Sequence, residues 1–305
     1  MTVEVTEVAR DILRIDCGQV PFFLHPQVAY LVIGDGASAL IEPGCTTSAA
    51  RLLSEAGRLG LDLERVSYII PTHIHVDHAG GIGFLMQHMP GAGAVLHPKG
   101  ALHMKNPSRI IQGTGLAFGE TWEEHFGPIL PVPEDRILVI EDGDAISLGN
   151  RNLTTVFTPG HAPHHISILD SLTGGLFSGE ALGFPAELSP DLVVPGGIPP
   201  FDPELYLQSM EKLERLSPKQ VFYSHLIGEW WNEDNRMIRL VKECTLAFNG
   251  IVGQAVQAGE DDEQIKGRLL DYLRQYCADA SDLGDFMFEP SGYIDYYRNR
   301  QSRGL

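Results

Sequence analysis

Apolar and polar positions along the chain follow two periods, and each period predicts a different kind of element. Alternation at every second position over residues 3–17 predicts antiparallel strands near the start. Tyr30–Ile33 and Ala39–Ile41 flank the turn Gly34-Asp35-Gly36, a pattern typical of a β-hairpin. Short apolar runs predict further strands at 66–70, 94–97, 153–157 and 219–225.

Helical spacing of apolar residues alternates with these strands. It predicts helices at 46–60 and 80–88, and the first of these ends at Gly60. Two more amphipathic segments, 235–248 and 263–277, lie close to the C-terminus. Strands and helices in this order predict a layered α/β (α+β) domain at 1–231 and a helical extension at 232–305.

Composition and charge narrow the class of protein. The chain has 305 residues, 43% of them hydrophobic, which is ordinary for a globular protein. Its formal charge of −18 argues against a nucleic-acid partner, because phosphate backbones bind basic surfaces. No apolar stretch is long enough to span a membrane, and Met1–Val5 lacks the features of a secretory signal. Four scattered cysteines predict free thiols in the cytoplasm: Cys17, Cys45, Cys244 and Cys277.

The candidate chemistry lies in one loop directly after the strand 66–70. His73, His75, Asp77 and His78 place four metal-capable side chains within six residues. If the chain stays extended past the strand, His73 and His75 point to the same side, because strand side chains alternate. Three imidazoles and a carboxylate so close together make sense if a cation holds them deprotonated. We therefore predict a metal site here.

The pattern His73-x-His75-x-Asp77-His78 resembles the signature of the metallo-β-lactamase superfamily, in its glyoxalase II and lactonase-like branch. The resemblance covers about residues 10 to 230. It implies a four-layer αβ/βα sandwich with the metal ions at one edge. It also implies that three later residues, each at a strand end, complete the ligand set: His161 in Thr-Pro-Gly-His, Glu180 in Ser-Gly-Glu, and His225.

The same resemblance assigns roles to these residues. His73, His75 and His161 would bind one cation, Asp77, His78 and His225 a second, and Glu180 would bridge the two. Glu180 stands where the family has aspartate, and Glu42 likewise replaces an aspartate that lies behind the ligands. His165 is expected to support the loop by hydrogen bonds, and His164 is the best candidate for a surface histidine among His161, His164 and His165.

The function implied is that of a metal-dependent hydrolase with a small-molecule substrate. A metal-bound hydroxide would attack a lactone, thioester or related carbonyl, with Asp77 helping to protonate the leaving group. Two divalent ions are expected, Zn²⁺ first, with Fe or Mn as alternatives. The longer Glu180 side chain leaves two other interpretations open. One is a mononuclear-iron enzyme like the persulfide dioxygenases, and the other is a non-catalytic regulatory protein that retains the metal.

Substrate contacts are predicted less directly. Phe23, His25, Phe184 and Tyr223 lie near ligand positions and are candidates for lining a pocket. Residues 98–135 are predicted as an insertion near the active-site face. Their basic residues, among them Lys99, would either bind a substrate carboxylate or form a solvated helix face. The tail helices are expected to pack on the main domain, with a substrate pocket or a homodimer interface as the alternative.

Overall fold

A seven-stranded mixed sheet begins the fold in the computed structural model, which describes residues 4–18, 26–186, 189–225, 230–276 and 290–304. Its strands lie side by side in chain order. The first four pair antiparallel and the remaining pairs are parallel. They are β1 (Val5–Ala9), β2 (Ile12–Asp16), β3 (Val28–Ile33), β4 (Ser38–Ile41), β5 (Val66–Ile70), β6 (Gly93–Leu96) and β7 (Ile137–Val139).

Four further strands form an antiparallel array against one face of this sheet. They are β8 (Ala145–Ser147), β9 (Asn152–Phe157), β10 (Ile166–Asp170) and β11 (Gly175–Phe177), each paired with the next. Side chains of both sheets share one core cluster, in which the Tyr30 and Phe177 rings lie 5.2 Å apart. Burial of such aromatic and branched side chains is the main stabilising term of a sandwich.

The alternation within β3 shows how the sequence sets the two faces of the first sheet. Val28, Tyr30 and Val32 belong to the core between the sheets, whereas Ala29 and Leu31 belong to a second core beneath helices. Six helices occur between β4 and β7: α1 (Thr46–Leu59), α2 (Val76–Ala79), α3 (Ile82–His88), α4 (Pro98–Lys105), α5 (Ser108–Phe118) and α6 (Trp122–Phe126). The helix predicted at 46–60 is confirmed, and it ends at Gly60 in the left-handed conformation.

Contacts divide the chain into two compact units that interleave in sequence. Among the described residues, the first unit draws on Met1–Phe157, His164–Gly179 and Phe222–Glu229. The second draws on Thr158–Pro163, Glu180–Val221 and Trp230–Leu305. The predicted domains 1–231 and 232–305 stay a prediction.

Helices dominate the second unit. They are α7 (Pro203–Leu216), α8 (Arg236–Gln257), α9 (Asp262–Leu273) and α10 (Ser291–Ser302). Two strand pairs accompany them: β12 (Phe184–Ala186) with β13 (Ser189–Val194), and β14 (Gln220–Phe222) with β15 (Trp230–Trp231). The long helix α8 packs against α7, α9, α10 and β13. The predicted α/β sandwich with C-terminal helices is confirmed.

The structure bears on two sequence expectations, the free cysteines and the membrane-spanning segment. Cys17, Cys45 and Cys244 are buried free thiols, and burial raises the pKa of Cys17 to about 12. Cys277 lies outside the described residues. Within the part of the chain that the structure describes, no helix is both long enough and apolar enough to cross a membrane.

Candidate metal centre

The loop after β5 presents its histidines as the strand alternation predicts. His73 and His75 bring Nε2 and Nδ1 to within 2.8 Å of each other, and Thr72 Oγ1 lies 3.1 Å from the other nitrogen of His73. His75 keeps an extended backbone and forms the N-cap of α2. Gly81 then lets the chain pass close to α1, because an added Cβ would lie 2.8 Å from the carbonyl oxygen of Cys45. The loop therefore holds both imidazoles towards one point.

Asp77, His78 and His225 form a second group of converging atoms in the same unit. Asp77 Oδ2 lies 3.2 Å from His78 Nε2 and 3.3 Å from His225 Nε2, and the two Nε2 atoms are 3.0 Å apart. All three residues are buried. Buried charges and imidazoles at such distances are stable when they are paired or coordinate a cation. The donor set therefore fits a divalent metal ion.

The ionisation of Asp77 agrees with this interpretation. Burial alone would raise its pKa, but the charge on His78 and hydrogen bonds from His225 and His78 outweigh burial. The net effect is a pKa well below the usual range for a carboxyl group. Asp77 is therefore a carboxylate at neutral pH, which is the form that binds a cation.

Glu42 contacts the His78 ring nitrogen that does not face Asp77 and His225. Its Oε2 lies 2.6 Å from His78 Nδ1, so that Nε2 of the same ring faces Asp77 and His225. The Glu42 backbone adopts φ +57°, a left-handed conformation that is rare outside glycine. A carboxylate on the second ring nitrogen fixes the tautomer and orientation of a metal-binding histidine.

Two adjacent histidines enclose the first group. His165 is fully buried, and its ring stacks 5.1 Å from that of His73. His164 was expected to be the surface histidine of the group, and it is the most exposed of His161, His164 and His165. It is only partly exposed, its ring lies 6.1 Å from that of His75, and its Nδ1 accepts a long 3.5 Å hydrogen bond from the Ile74 N–H. Sequence reasoning did not predict these contacts, because nothing in the spacing of His164 separates it from a loop residue.

His161 and Glu180 form a pair within the second unit. His161 Nδ1 and Glu180 Oε2 are 3.1 Å apart, and both residues are buried. The Tyr206 hydroxyl donates a 2.7 Å hydrogen bond to the Glu180 carbonyl oxygen. Gly196 adjoins the pair: an added Cβ would lie 3.1 Å from Glu180 Oε2 and 3.5 Å from His161 Nδ1. Gly196, which the sequence did not single out, therefore leaves room at these two donors.

Only two of the four predicted pocket residues lie within the described part of the chain. Phe23 and His25 lie outside the described residues. Phe184 is buried in the second unit and Tyr223 in the first. The Tyr223 carbonyl accepts a hydrogen bond from Tyr30. Their contact with a substrate stays a prediction.

Comparison with known proteins decides the family. The family model described as the metallo-beta-lactamase superfamily matches residues 23–225, which is more than half of the chain. The chain belongs to the metallo-β-lactamase superfamily. Metallo-β-lactamase fold-containing protein ST1585 of Sulfurisphaera tokodaii is 26% identical over 81% of this chain and 92% of its own length. The solved structure of ST1585 superposes with a TM-score of 0.63 over 77% of this chain and 86% of its own.

Two superfamily relatives have named activities. Acyl-coenzyme A thioesterase MBLAC2 of Gallus gallus is 30% identical over 37% of this chain and 40% of its own length. The N-acyl homoserine lactonase of Bacillus thuringiensis is 26% identical over 60% of this chain and 65% of its own length. This superfamily member therefore resembles hydrolases of two carbonyl substrate classes.

Proposed function

We propose that this protein is a metal-dependent hydrolase of a small-molecule lactone, thioester or related carbonyl compound. The observation that carries the proposal is the convergence of Asp77, His78 and His225, all buried, with metal-capable atoms within 4.8 Å of one another. The named activities of the thioesterase and lactonase relatives support the reaction class.

The ligand assignment is part of this proposal. His73, His75 and His161 would hold one divalent ion, and Asp77, His78 and His225 a second, with Glu180 bridging them. Neutral imidazole and carboxylate donors suit Zn²⁺ first, and also Fe or Mn. Metal ions bound there would supply a nucleophilic hydroxide and polarise the substrate carbonyl.

The chain's own residues would orient the reactants and move protons. Glu42 fixes the His78 ring through Nδ1, which keeps Nε2 directed at Asp77 and His225. Because its pKa is low, Asp77 is ionised before reaction. Asp77, or a water molecule that it orients, would transfer a proton to the leaving group.

Glu180 is the observation that favours a second candidate function. Glutamate is one methylene longer than the aspartate that the family pattern has at this position, which would weaken one of two metal sites. A mononuclear-iron oxidoreductase similar to the persulfide dioxygenases would tolerate that loss. A non-catalytic metal-retaining protein would tolerate it as well.

Elemental analysis of protein purified without added metal separates these readings. Wild type, Glu180→Asp and His78→Ala are compared, with His88→Ala as a control because His88 is an exposed histidine. About two equivalents of Zn, Mn or Fe in wild type, lost in part by His78→Ala only, support the dinuclear hydrolase. The dinuclear hydrolase also requires that the wild-type protein hydrolyse members of a panel of esters, lactones and thioesters. One equivalent of iron, rising to two in Glu180→Asp, would reject the dinuclear mechanism.

A further inference from the structure

The first turn of α10 is buried against a turn of the second unit that contains Gly197. Gly292, the second residue of α10, donates a 2.8 Å hydrogen bond from its N–H to the carbonyl oxygen of Gly197. A backbone N–H in the first turn of a helix has no acceptor within the helix, so this donor needs a partner outside it. A Cβ added at Gly292 would overlap the same carbonyl oxygen and the Cβ of Phe201. Glycine at this position therefore allows α10 to approach Gly197 closely.

Gly197 directly follows the glycine that lies beside the His161–Glu180 pair. An added Cβ at Gly196 would lie 3.1 Å from Glu180 Oε2 and 3.5 Å from His161 Nδ1. Gly196 and Gly197 are both buried. Because they are adjacent in the chain, a displacement of the Gly197 carbonyl is passed to Gly196 through a single residue. The backbone therefore connects the start of α10 to the space at the two donors.

A second connection from α10 to the pair runs through aromatic side chains. Tyr293 follows Gly292 and is fully buried, and its ring centroid lies 4.5 Å from that of Phe201. The Phe201 ring in turn lies 5.1 Å from that of Tyr206, whose hydroxyl donates a 2.7 Å hydrogen bond to the Glu180 carbonyl oxygen. Closely packed side chains transmit displacements, because a protein interior has little free volume. Both connections therefore end at Glu180.

The segment between Gly197 and α7 also holds the backbone next to His161. The Asp202 N–H donates a 2.9 Å hydrogen bond to the carbonyl oxygen of Gly160, the residue before His161. Gly160 has φ +141°, and an added Cβ there would overlap the backbone of Tyr206 in the first turn of α7. Both members of the pair are therefore anchored to the stretch on which α10 packs.

We propose that Gly292 and Tyr293 are positioning residues, which hold Glu180 and His161 in the geometry that binds metal by docking α10 on Gly197 and its neighbours. This inference rests on the proposed ligand assignment. It adds that the C-terminal helix α10 is a working part of the metal centre. Contacts that orient metal ligands from outside are worth about 10- to 100-fold in metal affinity. Displacement of α10 should therefore weaken metal binding.

Two variants of the full chain disturb the two connections separately. Gly292→Ala pushes the start of α10 away from Gly197. Phe201→Leu keeps an apolar side chain but removes the ring between Tyr293 and Tyr206, and it serves as the test if Gly292→Ala fails to fold.

Gly253→Ala in α8 is the matched control. Its added Cβ would lie 3.2 Å from Tyr297 Cε1, so it disturbs the packing of α10 further along the helix, away from Gly197. Two quantities are measured for each protein. One is the Zn²⁺ dissociation constant, from competition with a chromogenic chelator. The other is the amide hydrogen exchange of the metal-free protein over residues 178–186, which include Glu180, by mass spectrometry.

We expect the Zn²⁺ dissociation constant to rise about tenfold in Gly292→Ala and in Phe201→Leu, with faster exchange over residues 178–186. Gly253→Ala should match wild type in both measurements. An equal effect of Gly253→Ala would overturn the proposal, because any loosening of α10 would then act alike. Unchanged exchange in Gly292→Ala would overturn it as well, as would unchanged affinity where the wild type binds Zn²⁺. A wild type that binds no Zn²⁺, with exchange raised only by Gly292→Ala and Phe201→Leu, would reject the metal-dependent function and retain the positioning role.

Discussion

Glu42 Oε2 lies 2.6 Å from Nδ1 of the buried His78, and this contact directs His78 Nε2 towards Asp77 and His225. The glutamate takes up a left-handed backbone conformation at φ +57° to make it. A strained non-glycine residue persists only where surrounding contacts hold it. The contact therefore orients a candidate ligand at a cost in backbone energy.

We expect Glu42→Gln to reduce metal affinity about 10- to 100-fold, because the amide no longer fixes the His78 tautomer by charge. Metal dissociation constants from competition with a chromogenic chelator measure the loss. Glu55→Gln, in an exposed ion pair on α1, is the matched control and should bind metal like wild type. Unchanged affinity in Glu42→Gln would mean that Glu42 plays no part in orienting His78.

Gly196 offers a test of the position of Glu180 within the second unit. In Gly196→Ala the new methyl group would lie 3.1 Å from Glu180 Oε2, which forces that carboxylate to shift by a few tenths of an ångström. We expect about a tenfold fall in turnover with little change in melting temperature, since small displacements of positioning groups are costly to catalysis. Gly250→Ala in α8, where an added Cβ meets nothing within 4 Å, should keep full activity. Full activity in Gly196→Ala would show that Glu180 needs no fixed position.

The sequence predicted most where chemistry and periodicity coincide. The hairpin pattern of Tyr30–Ile33 and Ala39–Ile41 and the run 66–70 defined strands of the first sheet, and the spacing of His73 and His75 defined their convergence. These features are local, so a single sequence contains them. The resemblance to the superfamily then pointed to His225, which is 147 residues from the His78 that it contacts.

The rest depends on contacts between residues far apart in the chain, which no periodicity encodes. His164 was expected to be the surface histidine of its group and is the most exposed of the three, but the hydrogen bond that its Nδ1 accepts from the Ile74 N–H, 90 residues away, has no signal in the sequence. The left-handed backbone of Glu42 has no sequence signal either, since glutamate rarely adopts it. Gly196 was not predicted because its importance depends on its closeness to Glu180 and His161, which the sequence alone does not reveal.

Arg151 and Asp170 form a buried ion pair that offers a test of stability rather than chemistry. Arg151 donates from Nε and Nη2 to the two carboxylate oxygens at 2.9 and 2.7 Å, and from Nη1 to the carbonyl oxygen of Ile33 at 3.1 Å. We expect Arg151→Met to destabilise the protein by about 3–5 kcal/mol, because it leaves the Asp170 charge buried and unpaired. Urea unfolding measures the change.

The control for this pair is an exposed one. Arg58 on α1 pairs with Glu55 at 2.6 Å but is largely exposed, so Arg58→Met should cost less than about 1 kcal/mol. Adding Asp170→Asn to Arg151→Met should recover part of the loss, since the buried charge is then gone. A double variant as unstable as the sum of both single variants would show that the two residues act independently.

His97 predicts how stability depends on pH. It forms the N-cap of α4, where its Nδ1 accepts a 3.0 Å hydrogen bond from the Lys99 N–H. Burial, and to a lesser extent the charge of Lys99, lowers the pKa of His97 from 6.5 to about 4. The unfolded chain therefore binds the proton first as pH falls. The free energy of unfolding should fall between about pH 6.5 and 4, and this contribution should be constant at lower pH.

The variant His97→Asn isolates this contribution. Asparagine is a good N-cap, so it should preserve the start of α4 and stability at pH 8 while removing the titrating group. Urea unfolding at several pH values gives the difference between wild type and variant, in which the titration of all other histidines cancels. We expect wild type and variant to be about equally stable at pH 8, and the wild type to become less stable than the variant as pH drops through that window. A difference that does not change with pH would mean that His97 titrates alike in the folded and unfolded chain.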